Sequence, residues 1–89
     1  MSKKRRKLNK DFEKKIYSSK KNVELVLAKI FDIDDEDIQK EYMSAFNIVV
    51  ELYDELKQDY DLQGFNDISE ELLTNYRNAF NLFESEFEI

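Results

Sequence analysis

The sequence predicts an all-α protein, a small up-down-up three-helix bundle, and three observations lead to this prediction. The 89 residues include one Gly and no Pro, which favours long uninterrupted helices over a fold of strands and turns. Apolar residues recur at intervals of three and four along three separate stretches. The breaks between these stretches are short, so neighbouring helices must run antiparallel.

The chain begins with a basic tail, residues 1–8, that we expect to be disordered. Its sequence, MSKKRRKL, has no apolar periodicity. Five consecutive cations would also be unfavourable at the positive end of a helix dipole. The remaining residues, 9–89, are predicted to form a single helical-bundle domain with a thin core, as is usual for so short a chain.

The first helix is predicted over about residues 10–31, with Asn9 or Asp11 as its N-cap. Ser19 and Lys20 interrupt its apolar face, so we expect the first half to pack more loosely. The predicted face consists of Phe12, Ile16, Val23, Val26, Leu27, Ile30 and Phe31.

The central helix is predicted over about residues 35–61, with Asp34 as its N-cap and the following carboxylates complementing the helix dipole. Gly64, the only glycine, is expected just after its end, in a left-handed conformation. At 1.5 Å per residue this helix is about 40 Å long and overhangs its neighbours, which raises the expectation of a homo-oligomer or a partner helix. Its predicted apolar face consists of Ile38, Tyr42, Ala45, Phe46, Val49, Leu52, Tyr53, Leu56 and Tyr60.

The third helix is predicted over about residues 68–87. The run from Asp67 to Glu70 fits a capping box in which Asp67 is the N-cap. The predicted apolar face consists of Ile68, Leu72, Tyr76, Ala79, Phe80, Phe83 and Phe87.

Charge is strongly segregated along the chain. The net charge is −6, but it is unevenly distributed. Residues 1–22 hold ten Lys or Arg and two Asp or Glu, whereas residues 23–89 hold four Lys or Arg and eighteen Asp or Glu. A basic leading segment is therefore attached to an acidic body. The abundance of Lys, Asn, Ile, Asp and Glu is typical of an AT-rich coding sequence, which suggests a low-GC bacterium or its phages and plasmids.

Several classes of function are disfavoured by what the sequence lacks. Without His or Cys there is neither the commonest general base nor a thiolate, and no glycine-rich phosphate loop is present. We therefore expect no enzymatic activity, no catalytic residue and no cofactor. The apolar runs are too short for a membrane span, and no apolar segment follows the basic start as in a signal peptide. A cytoplasmic protein is the expectation.

The main functional prediction is a non-catalytic interaction protein, in the manner of an inhibitor, an immunity protein, an antitoxin or a DNA mimic. The up-down-up topology brings the first connection and the end of the third helix to one pole, which is acidic and lacks a basic neighbour. We expect this pole to bind a protein partner with a basic surface. The predicted binding residues are Asp34, Asp35, Glu36, Asp37, Glu84, Glu86 and Glu88.

An alternative prediction places function in the basic tail. Its cations could bind nucleic acid or another anionic surface through non-specific attraction to phosphates. The acidic body would repel DNA beyond the reach of the tail, which argues against this as the main function. The residues concerned are Lys3, Lys4, Arg5, Arg6 and Lys7.

A second alternative concerns residues 59–70, DYDLQGFNDISE, which resemble the EF-hand calcium-binding loop. The resemblance covers twelve residues and implies oxygen ligands at alternate positions with Gly64 at the sharp turn. Gln63 stands where Asp or Asn is usual, and the flanking residues Gln58 and Glu71 are polar where that family has apolar ones. The implied calcium ligands are Asp59, Asp61, Gln63, the Phe65 carbonyl, Asp67 and Glu70.

Overall fold

The computed structural model describes residues 9–87 and confirms the all-α three-helix fold. Helix α1 comprises Lys10–Phe31, α2 comprises Glu36–Gln63 and α3 comprises Asp67–Phe87. The observed bounds differ from the predicted ones by no more than two residues. The predicted disordered tail, residues 1–8, lies outside the described residues.

Contacts at both ends and in the middle of the bundle confirm the up-down-up order. At one end the rings of Tyr42 in α2 and Phe87 in α3 are 4.7 Å apart. At the other end the rings of Phe12 in α1 and Tyr60 in α2 are 5.5 Å apart. Helix α2 makes most of the contacts between helices, and α1 and α3 approach each other less closely.

The core follows the predicted apolar faces over most of their length. It departs from them at helix ends, where Phe31, Ile38 and Ile68 are 65%, 44% and 57% exposed, and at Leu73, which was left out of the predicted α3 face but is 5% exposed. Phe31 and Ile38 lie at the ends of their helices, and the step of four from Ile68 to Leu72 drifts by about 40° around the helix axis. The buried core consists of Phe12, Ile16, Val23, Val26, Ile30, Phe46, Val49, Tyr53, Leu56, Tyr60, Leu73, Tyr76 and Phe83.

Ser19 is part of this core, although the sequence suggested an interruption there. It is 4% exposed, and its hydroxyl donates to the Lys15 carbonyl at 2.8 Å. Its own carbonyl accepts from the Tyr76 hydroxyl at 3.2 Å, which joins α1 to α3. The small residue leaves room for the tyrosine ring, so the gap in the apolar stripe is filled from another helix.

The helix caps correct two predictions and decide a third. Asn9 caps α1 by accepting from the Phe12 amide at 3.0 Å. The α2 cap is Asp35, not Asp34, because Asp35 Oδ1 accepts from the Asp37 and Ile38 amides. Asp34 precedes the cap and stays exposed.

The α3 cap is Asn66 and not Asp67. Asn66 Oδ1 accepts from the Ile68 and Ser69 amides, and the Ser69 hydroxyl accepts from the Asn66 amide in return. The capping box therefore begins one residue earlier than predicted. Gly64 directly follows α2, as predicted, but it is not left-handed helical: φ is 74 and ψ is −165, a combination that is essentially restricted to glycine.

Candidate functional site

The acidic residues Asp34 to Asp37 lie where α1 passes into α2. Asp35 is engaged as the N-cap, and its carboxylate is held by two backbone amides at 2.9 and 3.2 Å. The Gln39 side chain donates to the Ile30 and Phe31 carbonyls, both at 3.2 Å, and so fixes the end of α1 against the first turn of α2. The four carboxylates therefore lie at a connection between helices whose conformation is held by these hydrogen bonds.

Two exposed apolar side chains, Phe31 and Ile38, stand on either side of these carboxylates in the chain. Asp34, Glu36 and Asp37 are exposed, and no cation among residues 9–87 forms an ion pair with them. We call this surface the acidic corner. It consists of Phe31, Asp34, Asp35, Glu36, Asp37 and Ile38. Sequence reasoning missed its apolar members, although a position at a helix end, where a neighbouring helix gives little cover, could have indicated them.

Glu84 and Glu86 lie at the same end of the bundle, because Phe87 contacts Tyr42 in the second turn of α2. Glu84 nevertheless lines a groove between α1 and α3 that none of the acidic-corner residues lines. Lys29 lines that groove as well, so the expectation of a pole with no basic neighbour is wrong for Glu84. Glu86 is exposed, and Glu88 lies outside the described residues.

The groove between α1 and α3 has a volume of about 480 Å³ and exists because these helices approach each other loosely. Unlike the rest of the acidic body, it carries Lys15, Lys29 and Arg77 against the single carboxylate of Glu84. Sequence reasoning missed this grouping, because the residues come from two helices. The available signal was the spacing of 14 between Lys15 and Lys29 and of 7 between Arg77 and Glu84, since both place residues on one side of a helix.

Two buried tyrosines lie beneath the surface between α2 and α3. Burial raises the pKa of Tyr76 to about 12 and also raises the pKa of Tyr53. Their rings are 6.1 Å apart. The Tyr76 hydroxyl therefore stays protonated well above neutral pH, donates to the Ser19 carbonyl and supplies no charge.

Residues 59–70 fold differently from the twelve-residue loop that the EF-hand resemblance implies. Asp59, Asp61 and Gln63 lie in the last turns of α2, Asp67 and Glu70 lie in the first turn of α3, and only residues 64–66 connect the helices. Asp59 accepts from the side chains of Gln63 and Asn66, and Asp61 pairs with Lys57. Phe65, whose carbonyl completes the implied ligand set, packs its ring against Phe12 at 5.0 Å.

This geometry does not bring the implied calcium ligands together. Among the described residues, no group of three or more His, Cys, Asp or Glu is placed to hold a metal ion. The cations of the alternative site, Lys3, Lys4, Arg5, Arg6 and Lys7, lie outside the described residues. Within residues 9–87, no helix is long and apolar enough to cross a membrane.

The fold and the surface define a small three-helix protein with segregated charge and an exposed acidic corner. No protein-family model, curated protein or solved structure matches this chain. Function is therefore inferred from the chemistry of the described residues.

Proposed function

We propose that this chain is a non-catalytic interaction protein whose acidic corner binds a protein partner with a basic, partly apolar surface. The observation that carries the proposal is the display of consecutive carboxylates between two exposed apolar side chains, without an ion pair to any described cation. Inhibitors, immunity proteins, antitoxins and DNA mimics are the kinds of protein meant.

The two kinds of side chain in the acidic corner would contribute differently to binding. Covering an exposed side chain such as Phe31 removes apolar surface from water and is worth about 1.5 to 3 kcal/mol when burial is complete. Carboxylates around it steer a cationic partner, exclude anionic ones and fix the orientation. Charge alone would give attraction without a defined pose, so the apolar members supply specificity of fit.

The carboxylates at the end of α3 support the same proposal. Glu84 and Glu86 lie in the last turn of α3, which contains no basic residue. Negative charge at the negative end of a helix dipole is destabilising by about 0.3 to 1 kcal/mol per group. Residues that oppose folding stability are expected where a surface serves another purpose. Because Glu84 lines the groove between α1 and α3, we include only Glu86 and Glu88 as an extension of the partner surface.

The experiment compares two triple variants of equal charge change. The first, Asp34→Asn/Glu36→Gln/Asp37→Asn, neutralises the acidic corner and leaves Asp35 in place because Asp35 caps α2. The control is Glu51→Gln/Asp54→Asn/Glu55→Gln, three exposed positions farther along α2. Circular dichroism confirms that both variants fold.

The probe is a synthetic amphipathic basic helix of about 20 residues, measured by fluorescence anisotropy beside an isomer of the same composition with its apolar stripe scrambled. We expect the amphipathic peptide to bind more tightly than its isomer. We expect the acidic-corner variant to lose about tenfold in affinity and the control to lose about twofold or less. Added salt should weaken wild-type binding.

Equal losses in the two triple variants would contradict the proposal, because they would indicate attraction to the whole acidic body. Equal binding of the two peptides would also contradict it, since the apolar members would then contribute nothing. The variant Phe31→Ser tests that contribution directly. It should reduce the affinity for the amphipathic peptide more than the affinity for the scrambled isomer.

A further inference from the structure

The outward face of α1 carries exposed lysines interleaved with two exposed apolar residues. We call it the lysine ridge and define it as Lys10, Lys14, Tyr17, Lys21 and Leu25. Steps of three and four place these residues on one side of the helix, and all five are exposed. Tyr17 and Leu25 are 60% and 62% exposed. At 1.5 Å per residue the ridge is about 23 Å long.

The acidic residues of the first turn of α1 form no ion pair with this ridge. Glu13 Oε1 accepts from the Tyr60 hydroxyl of α2 at 2.9 Å, which directs that oxygen toward α2. Asp11 lines a groove on the α3 side of α1, together with Arg77 of α3. The single ion pair among residues 9–87 joins Lys57 to Asp61, so no lysine of the ridge is paired there.

Aromatic contact fixes part of the ridge. The Lys21 ammonium lies 5.1 Å from the centre of the Tyr17 ring, within the range of a cation–π interaction. This contact holds the ammonium beside an exposed ring at the surface. The ridge therefore presents three positive charges beside an exposed ring, with Lys15 and Lys20 exposed on its two flanks.

The acidic body does not cancel the attraction of the ridge for anions. Helices α2 and α3 pack against the buried face of α1, on the side away from the ridge. An α-helix is about 10 Å across, whereas the Debye length at physiological salt is about 8 Å. Phosphates docked on the ridge would be separated from most carboxylates of the body by more than one Debye length, so the repulsion is largely screened.

We propose that the lysine ridge binds the phosphate backbone of duplex nucleic acid without sequence preference. The ridge is a line of charge, and a duplex presents a matching line, with about one negative charge per 1.7 Å of axis. A flat membrane surface fits less well, because the exposed Glu24 borders the ridge and would be pressed against anionic headgroups, whereas a duplex contacts only the line of the ridge. Tyr17 and Leu25 alone would also offer little apolar insertion.

The test uses the full chain and a labelled DNA duplex of about 30 base pairs, with anisotropy measured from about 50 to 200 mM NaCl. The ridge variant is Lys14→Gln/Lys21→Gln. The control is Lys29→Gln/Lys40→Gln, which changes the charge equally: Lys29 lines the groove between α1 and α3, and Lys40 lies on α2. The slope of log K against log salt is negative, and each lost phosphate contact reduces its magnitude by about 0.9. We therefore expect the ridge variant, which loses two contacts, to reduce the magnitude by about 2.

A second form of the chain, in which the basic tail is neutralised, separates the contribution of the ridge to duplex binding from that of the tail. In a full-length chain with Lys3, Lys4, Arg5, Arg6 and Lys7 changed to Gln, residual duplex binding should persist and should still fall in the ridge variant. The proposal is overturned if that form shows no duplex binding. It is also overturned if ridge and control variants lower the salt slope equally, or if the chain binds vesicles containing phosphatidylserine and not the duplex.

Discussion

Tyr76 connects helices that otherwise approach each other loosely. It is 3% exposed, and its hydroxyl donates to the Ser19 carbonyl across the interface of α1 and α3. The Ser19 carbonyl lies inside α1, so the bond from Tyr76 adds to the helical hydrogen bond and is worth about 0.5 to 1.5 kcal/mol. Ser19 is small enough to admit the ring, which explains a polar residue in the middle of the apolar face.

At the residue scale, we predict that Tyr76→Phe lowers the free energy of unfolding by about 1 kcal/mol at pH 7, through loss of one hydrogen bond. The difference from wild type should shrink above pH 10. Burial raises the folded-state pKa of Tyr76 from 10.0 to about 12, so its favourable contribution is complete below pH 10 and is lost as the pH rises through 12. Denaturant unfolding across this range measures the effect.

Tyr17→Phe is the matched control, because Tyr17 is 60% exposed. Its hydroxyl is at the surface, so this substitution should lower the free energy of unfolding by less than Tyr76→Phe does at pH 7. A difference for Tyr76→Phe that does not change with pH would contradict the assignment of a raised pKa to Tyr76. The change is expected to be at most about 1.4 kcal/mol per pH unit, which is the free energy of one displaced proton.

The turn between α2 and α3 shows how an element boundary is set by a few hydrogen bonds. Asn66 accepts from two amides of α3 and donates to Asp59 and to the Gly64 carbonyl. One side chain therefore closes both helices, with Gly64 supplying a conformation that other residues avoid. Asp67 is one residue too late to cap and lies exposed in the first turn.

At the element scale, we predict that Asn66→Ala lowers the free energy of unfolding by about 1 to 2 kcal/mol, the usual loss of an N-cap. Asp67→Ala should lower it by about 0.5 kcal/mol, since only a favourable dipole interaction is removed. Urea denaturation of both variants checks the ranking. If Asp67→Ala were the more damaging change, the cap would belong to Asp67, as the sequence pattern had suggested.

Across the whole molecule, acidic residues lie both at the N-terminal ends of helices, where the helix dipole is positive, and at the C-terminal ends, where it is negative. Glu36 lies in the first turn of α2 and complements the helix dipole, whereas Glu86 lies in the last turn of α3 and opposes it. With one ion pair among the described residues, few of these charges are neutralised locally. Stability should therefore respond to salt and to the position of each charge.

At the scale of the molecule, we predict opposite effects for two substitutions that remove the same charge. Glu86→Gln should raise the free energy of unfolding by about 0.3 to 1 kcal/mol, and Glu36→Gln should lower it by a similar amount. Both effects should diminish as NaCl is raised, because the groups are exposed. Thermal unfolding at low and high salt measures them, and a shift of the same sign in both variants would contradict the prediction.

The acidic corner illustrates the limit of prediction from sequence. Its carboxylates were predicted from the run Asp34 to Asp37 and from the topology. Phe31 and Ile38 were assigned to the core, because periodicity cannot indicate where a neighbouring helix stops covering a face. Asp34 was assigned as the cap because several consecutive acidic residues satisfy the same preference, and only backbone geometry distinguishes them.

By itself, the sequence determined the number, order and approximate bounds of the helices and the division of charge along the chain. These depend on the local spacing of apolar residues and on glycine, which act over a few residues at a time. The tertiary structure decided which apolar side chains are covered and which carboxylates turn inward. Glu13 accepts from the Tyr60 hydroxyl and forms no ion pair with the lysine ridge, because contacts between residues 47 positions apart depend on how the helices pack.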